Sequence, residues 1–438
     1  MLYIETKPLK IFFFLLAILV IYNNLNAQEN VAKKNSFFEN LNWSIDILPF
    51  VRNTSFQNDF GSINPNNRIA SLNNNDGGLY LRPDVKLKKD KFFIGLKPRL
   101  NTLFQDNNDT GLEFYFQEVK LKWYINEALY LSGGRYIKSI GTSTFINPSN
   151  PYFIESGRVN PKIELRPIDF IELNWATNSG WDFTLIANLF EGEATNFGFP
   201  NFDFYRNYGV QTEYYGSSIN YGGIFSVTEN KNYHFGFYAQ KNLSEAIVMW
   251  ADGAIKKNVN RFYPVKGHFT NLLSYENVDG DENENTFFSG LLGASYTFSF
   301  GPTLYLEYYY NGSGFDNETY DIYNSSISDA SNYNFGIIKG LADLNLARSI
   351  NTGMPYIRKH YLFSQLGEND ILKGFLNYNL RYFYSIDDGS SQFSTVIEAN
   401  ILDNLELFNV SLMNFGKEDS SFKNLIKYQL MLGAIYRF

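Results

Sequence analysis

The sequence predicts an all-β fold: a closed antiparallel transmembrane β-barrel of about eighteen strands, with about sixteen as the alternative count. Three observations lead to this prediction. Apolar and polar residues alternate with a period of two, the alternating segments are about ten residues long, and the connections between them are alternately very short and longer. Segments of this length and spacing are typical of barrels that cross a membrane on strands.

The alternation is clearest in residues 79–87, 92–101 and 118–125, where one parity is mostly apolar and the other carries most of the charge. A period of two indicates strands with one apolar and one polar face. A soluble β-sandwich would alternate in the same way, so the spacing of the segments decides between the two.

The connections divide into two classes. The predicted short turns are 88–91, 126–127, 177–180, 215–217, 242–244, 301–302, 367–369 and 403–404. The predicted long loops are 53–77, 105–113, 136–161, 191–206, 228–231, 256–285, 312–356, 386–391 and 415–422. In known barrels short turns face the periplasm and long loops face outside. Lipid also demands a closed barrel, because every backbone N–H and C=O must find a partner.

Composition excludes several classes of function. Among 438 residues there is no cysteine, and the three histidines, His234, His268 and His360, have no spacing typical of a metal site or nucleophile. We therefore expect no cofactor, no bound metal and no enzyme activity. A net charge of −8 argues against a nucleic-acid partner.

The N-terminus predicts export. Lys7 and Lys10 precede the apolar run 11–22, and Ala27 ends a short polar stretch. This is the layout of a signal peptide over residues 1–27. The alternative, a membrane anchor, needs about 20 apolar residues. We expect a short periplasmic segment over 28–40, the barrel over 41–438, and location in the outer membrane of a Gram-negative cell.

The C-terminus supports the same location. From residue 426 onward the even positions are mostly apolar or aromatic. Gly433, Tyr436 and Phe438 resemble the assembly signal of outer-membrane β-barrels, although Met431 departs from the polar residue that this pattern prefers. The resemblance implies the barrel-assembly machinery as a partner, together with outer-membrane lipid and lipopolysaccharide. The oligomeric state stays open.

The polar face of a barrel lines its lumen, and here that face is rich in cations. Predicted strands two to four and six contribute the pore-lining candidates Arg82, Lys86, Lys97, Arg99, Lys120, Lys122, Lys162 and Arg166. Such a wall favours anions. The alternative is that nearby carboxylates, among them Asp84, Glu118 and Glu164, pair with these cations. Both interpretations remain open at the level of sequence.

The third long loop, 136–161, is the candidate constriction. Its candidates are Arg135, Lys138, Asn147, Pro148, Asn150, Pro151, Glu155 and Arg158. By its place in the order of long loops, this segment resembles the third loop of general porins and substrate-specific channels. In those proteins the third loop folds into the barrel. Proline would stiffen such a loop, because it fixes φ and restricts the preceding residue. The alternative is a loop exposed on the cell surface.

Two functions compete. A barrel of this size encloses an aqueous channel, which predicts porin-like diffusion of small solutes, with anions favoured by a basic lumen. The alternative is an accessory barrel for export or surface assembly that works with an inner-membrane transporter. A weak local resemblance supports it: the residues Gly134, Arg135, Gly141, Ser143, Thr144, Phe145, Asn147, Pro148, Asn150, Pro161, Leu165, Arg166 and Pro167 look like an uncharacterised outer-membrane family found beside RND-type exporters.

Overall fold

The computed structural model describes residues 40–106, 110–153, 160–191, 204–257, 261–265, 274–277, 285–333, 335–336 and 338–438. The predicted signal peptide and residues 28–39 lie outside these ranges. In the described part of the chain, no helix is long and apolar enough to span a membrane.

Eighteen strands form one closed antiparallel sheet, as the sequence predicts. They are β1 (Leu41–Phe56), β2 (Asn75–Lys89), β3 (Phe92–Gln105), β4 (Thr110–Tyr124), β5 (Leu129–Tyr136), β6 (Ile168–Ala176), β7 (Trp181–Phe190), β8 (Asn207–Tyr215), β9 (Ile219–Thr228), β10 (Tyr233–Asn242), β11 (Ile247–Lys257), β14 (Thr286–Thr297), β15 (Thr303–Asn311), β16 (His360–Asp370), β17 (Leu376–Ser385), β18 (Ser391–Leu402), β19 (Leu405–Phe415) and β20 (Ile426–Arg437). The remaining two, β12 (Phe262–Val265) and β13 (Ser274–Asn277), form a separate hairpin.

Each barrel strand pairs with the barrel strands before and after it in the chain, and β20 pairs with β1 to close the sheet. The closing ladder brings Phe50 opposite Gly433. Because the sheet is closed, it has no free edge, which satisfies the requirement that lipid imposes on backbone polar groups.

The side chains of each strand divide between two faces as the alternation predicts. On β14, Phe288, Leu292 and Tyr296 are exposed on the outer face, whereas Ser289 and Leu291 are buried on the inner face. The same division holds around the barrel and creates an apolar outer band suited to lipid. This protein is therefore an outer-membrane β-barrel.

The predicted connections are confirmed with shifts of a few residues, and two differ more. Strand β16 continues to Asp370, so the turn predicted at 367–369 lies at 371–375. The third long loop ends later than predicted, because β6 begins only at Ile168. Pro167 immediately precedes that strand, and proline cannot donate a backbone hydrogen bond to a ladder.

Two helices lie at the end of the barrel that carries the long loops. The connection from β15 to β16 contains α1 (Asn317–Ser331) and α2 (Lys339–Ile350). The Asp316 side chain caps α1 by accepting a hydrogen bond from the Thr319 N–H at 2.9 Å. That hydrogen bond is the main reason why the pKa of Asp316 is lowered.

These helices enclose a core of their own. Tyr320, Tyr323 and Leu346 pack with Phe315 from the preceding segment and with Ile63 from the loop after β1. Ile338 immediately precedes α2, and Leu341 lies in its first turn. Both side chains are nevertheless largely exposed, because α2 buries the face that carries Ala342 and Leu346 instead.

Closure of the barrel depends on the small size of Gly433. A Cβ at this position would lie 2.6 Å from the Pro49 carbonyl oxygen and would overlap the Phe408 ring. Gly433→Val should therefore destabilise the folded barrel by at least about 1–3 kcal/mol, measured as loss of the heat-modifiable species in electrophoresis. Ala434→Val is the matched control, because residue 434 faces outward. Equal stability of the two variants would contradict the proposed packing.

Candidate functional site

The third long loop lies inside the barrel. It runs from residue 137 to 167 and is described at 137–153 and 160–167. Phe145 and Ile146, at 1% and 0% exposed, pack against inward-facing side chains on the opposite wall. Those side chains come from β11 and β14–β17 and are Trp250, Leu291, Tyr309, Tyr361, Phe363 and Phe383. The loop therefore crosses the lumen rather than lying on the cell surface.

Glu307 on β15 holds the tip of this loop. Its side chain is 2% exposed and accepts hydrogen bonds from the backbone N–H of Thr144 at 2.6 Å and of Phe145 at 3.3 Å. The indole Nε1 of Trp250 donates to the same carboxylate at 2.8 Å. A carboxylate so deeply buried needs donors, and a loop backbone removed from water needs acceptors. Each supplies what the other lacks.

Asp252 on β11 makes a second anchor of the same kind. It is 2% exposed, and its two oxygens accept hydrogen bonds from the Ser149 backbone N–H at 2.7 Å and hydroxyl at 2.8 Å. The carbonyl oxygen of Ser149 lies 2.9 Å from His234 Nε2. Opposite Ser149, Gly236 on β10 leaves room for the loop, since a Cβ there would overlap the Ser149 backbone.

Asparagine side chains shape the loop from within. Asn147 Oδ1 accepts from the Ser143 N–H at 2.9 Å, and Asn150 Oδ1 accepts from the Tyr152 N–H at 3.0 Å. Asn150 Nδ2 also donates to the Lys138 carbonyl at 3.0 Å. These are the local turns that asparagine favours, with proline at positions 148 and 151 restricting the backbone further.

The end of the loop carries two of the predicted pore-lining cations. Lys162 and Arg166 were expected on strand six, but they precede it and lie in the loop. Lys162 Nζ lies 2.6 Å from a carboxylate oxygen of Glu398 and 2.6 Å from one of Glu406, on β18 and β19. Arg166 contacts Glu113 on β4 at 2.7 Å. The end of the loop is thus tied by charge to β4, β18 and β19.

The wall cations of β2 and β3 are paired as well. Arg99, 4% exposed, contacts Glu164 of the loop at 2.7 Å and Asp84 at 2.9 Å. Arg82 Nη2 donates to the Lys162 carbonyl oxygen at 2.6 Å. Lys97 Nζ lies 3.2 Å from Glu118. These contacts favour the self-paired alternative for this part of the lumen. Desolvation costs of buried pairs offset much of their attraction.

Three inward-facing lysines nearer the short turns, Lys86, Lys120 and Lys122, differ in their contacts from the paired cations of β2 and β3. Lys86 and Lys120 both lie opposite Gly95 in the ladders of β2–β3 and β3–β4. Lys120 Nζ lies 3.7 Å from the centroid of the Tyr136 ring, and Lys122 Nζ lies 4.8 Å from that of Tyr130. None of the three makes a salt bridge with a residue that the structure describes. A cation–π contact brings no formal negative charge to Lys120 or Lys122.

The constriction candidates predicted from the sequence lie in different parts of the structure. Asn147, Pro148, Asn150 and Pro151 lie in the part of the loop inside the barrel. Lys138 contacts Glu172 at 2.8 Å on the inner wall.

Arg135 does not belong to the loop. It lies within β5, paired with Asp169 at 2.7 Å, on the face opposite to the inward-facing Tyr136. Strand alternation therefore excludes Arg135 from the constriction. Glu155 and Arg158 fall outside the described residues.

Sequence reasoning missed Asp252 and Glu307, the two residues that hold the loop. Each is an isolated acidic residue on a lumenal face, where polar residues are expected anyway. The sequence signal for a loop contact lies in neighbouring residues instead. Trp250 and Tyr309 are inward-facing aromatic residues, and such a surface inside a lumen indicates that another segment of the chain packs against it.

Solved structures share this fold. No protein-family model and no curated protein sequence matches the chain. The structure of OccK2 (OpdF) from Pseudomonas aeruginosa in complex with glucuronate is 11% identical, covers 92% of this chain and 99% of its own, and has a TM-score of 0.55. The structure of OprD from the same organism is 10% identical, covers 92% of this chain and 96% of its own, and has a TM-score of 0.52. The structure of OpdK with vanillate is 12% identical, covers 92% of this chain and 99% of its own, and has a TM-score of 0.51.

Structural similarity at this low level of sequence identity establishes only that this chain has the barrel fold of outer-membrane porins. The local resemblance to an exporter-associated family remains a prediction.

Replacing both anchors by amides should loosen the loop. In Asp252→Asn/Glu307→Gln, each amide presents an NH₂ group toward N–H or O–H donors, which costs about 1–3 kcal/mol per lost hydrogen bond. Chymotrypsin should then cleave after Phe145 at least about tenfold faster than in the unmodified protein. Asp182→Asn, an inward carboxylate that contacts Asn174 instead of the loop, is the control. Cleavage no faster than in this control would exclude the anchoring role.

Proposed function

We propose that this protein is an outer-membrane channel for small solutes, with the third loop as its constriction. The observation that carries this proposal is the anchored passage of the loop across an eighteen-stranded barrel. A barrel of this size encloses more space than its own side chains fill. An inward-folded loop narrows that space enough for selection among solutes.

The proposed solutes are small anions. Lys86, Lys120 and Lys122 place positive charge on the periplasmic half of the lumen, and a lumen of one sign raises the local concentration of the opposite ion. Two structures of the same fold hold glucuronate and vanillate, which is in keeping with such solutes.

The contacts of the described histidines favour a channel over an enzyme. His234 Nε2 lies 2.9 Å from the Ser149 carbonyl oxygen, and His360 Nδ1 lies 2.7 Å from the Tyr308 hydroxyl oxygen. Both contacts supply hydrogen bonds within the structure. A barrel hydrolase would instead need a histidine positioned to activate a serine.

Recordings in planar bilayers under a salt gradient test the proposal. The purified protein should conduct with a reversal potential that shows anion preference. Lys120→Glu/Lys122→Glu should shift that potential toward cations, because it reverses two positive charges on the lumenal wall. Lys241→Glu makes a similar change on the outer face of β10 and should leave the potential unchanged.

Two outcomes would count against the proposal. A protein that inserts but does not conduct would overturn the channel. Cation preference in the unmodified protein would overturn the anionic solute while leaving the channel in place.

A further inference from the structure

The contact between Glu307 and the tip of the third loop depends on the charge of one carboxylate. The backbone N–H of Thr144 and the indole Nε1 of Trp250 donate to Glu307 Oε1 at 2.6 and 2.8 Å, and the Phe145 N–H donates to Oε2 at 3.3 Å. These N–H groups can only donate, and an ionised carboxylate can only accept. The ionised form of Glu307 therefore suits its surroundings, with both oxygens in use.

Protonation of Glu307 would disturb this contact. A protonated carboxyl carries an O–H hydrogen and no net charge, and hydrogen bonds to a charged acceptor are roughly twice as strong as those to a neutral one. The Thr144 hydroxyl, which also contacts Glu307, is able to accept the added hydrogen. The N–H groups of the loop backbone would still lose a charged acceptor, and the loop tip would be held more weakly.

No neighbouring cation takes over this role. Across the ladders Glu307 lies opposite Gly293 on β14 and Phe363 on β16, neither of which is charged. In the part of the chain that the structure describes, Glu307 forms no salt bridge. The titratable inward-facing side chains within two residues of its level on the surrounding strands are Asp252 on β11, Tyr305 and Tyr309 on β15, Tyr361 on β16 and Arg381 on β17.

Two of these neighbours are charged groups with contacts of their own. The guanidinium carbon of Arg381 lies 6.0 Å from the centroid of the Phe145 ring, and Arg381 Nε donates to Gln365 at 2.7 Å. Asp252 holds the loop at Ser149, where it accepts from a hydroxyl as well as from a backbone N–H. Because a hydroxyl can turn and accept, the Asp252 contact depends less on ionisation than the contact of Glu307 with three N–H groups.

We propose that Glu307 is an acid-sensitive anchor of the third loop: its ionised carboxylate holds residues 144–145 inside the barrel, and its protonation releases them. The wall of an outer-membrane barrel faces water that is continuous with the surrounding medium, so the external pH would act on this anchor. Release would also widen the passage. Only this last consequence rests on the proposed channel function.

Spin labelling measures the release without any need for transport. The chain contains no cysteine, so Thr142→Cys places a single nitroxide label near the loop tip, and Lys417→Cys places one on an exposed extracellular loop as the control. Electron paramagnetic resonance spectra of the full chain in phosphatidylcholine vesicles are recorded from about pH 7.5 to about pH 4, where ordinary carboxyl groups protonate.

The ratio of mobile to immobile label at position 142 should rise at least about tenfold as the pH falls through this range. The label at position 417 should show no such change. An unchanged ratio at position 142 would overturn the proposal.

Variants assign the release to Glu307. Glu307→Gln keeps the shape of the side chain but cannot ionise, so the label at position 142 should be mobile at neutral pH and should no longer respond to pH. Asp182→Asn removes an inward carboxylate that contacts Asn174 instead of the loop, and it should keep the full response. Heat-modifiable electrophoretic mobility confirms that each variant is folded. A full response in Glu307→Gln would assign the release to other groups and overturn the proposal.

Bilayer recordings on the unlabelled protein distinguish this proposal from the channel. Single-channel conductance should rise over the same pH range in the unmodified protein and should be high and independent of pH in Glu307→Gln. Release of the loop in a protein that does not conduct would support the acid-sensitive anchor and overturn the channel. Conductance without any pH-dependent release would overturn the acid-sensitive anchor and leave the channel.

Discussion

The organisation of the lumen depends on two buried carboxylates, Asp252 and Glu307, that accept hydrogen bonds from the backbone of the third loop. Every barrel strand is already paired on both edges, so the loop cannot extend the sheet, and its N–H groups need other acceptors once water is excluded. Carboxylates on neighbouring inward faces provide them. The loop's position, and with it the shape of any passage, follows from these contacts.

The opposite end of the same loop is held by charge instead. Lys162, Glu164 and Arg166 pair with acidic and basic residues on β2–β4, β18 and β19. Pairing neutralises most of the cations that the sequence assigns to the lumen. Within the part of the chain that the structure describes, Lys86, Lys120 and Lys122 near the short turns are the members of that set without a salt bridge. Under the proposed function, a solute would meet the charge of these lysines on the periplasmic side of the constriction.

Sequence patterns predicted the barrel well because the alternation of side chains is a local property of a strand. Strand number follows from the spacing of turns, and barrel closure follows from lipid. The third loop's destination could be proposed only by resemblance, since it is decided by contacts between residues more than 100 positions apart. Lys162 and Arg166 were wrongly assigned to a strand because β6 begins only at Ile168, and Arg135 was grouped with the loop although β5 continues to Tyr136.

Deleting residues 142–152 and recording single-channel conductance tests the central claim most directly. The shortened loop would no longer cross the lumen, and Asp252 and Glu307 would be solvated by the water that replaces it. Heat-modifiable electrophoretic mobility would first confirm that the barrel is folded. The account predicts a conductance higher than that of the full-length protein. A conductance equal to that of the full-length protein would contradict it.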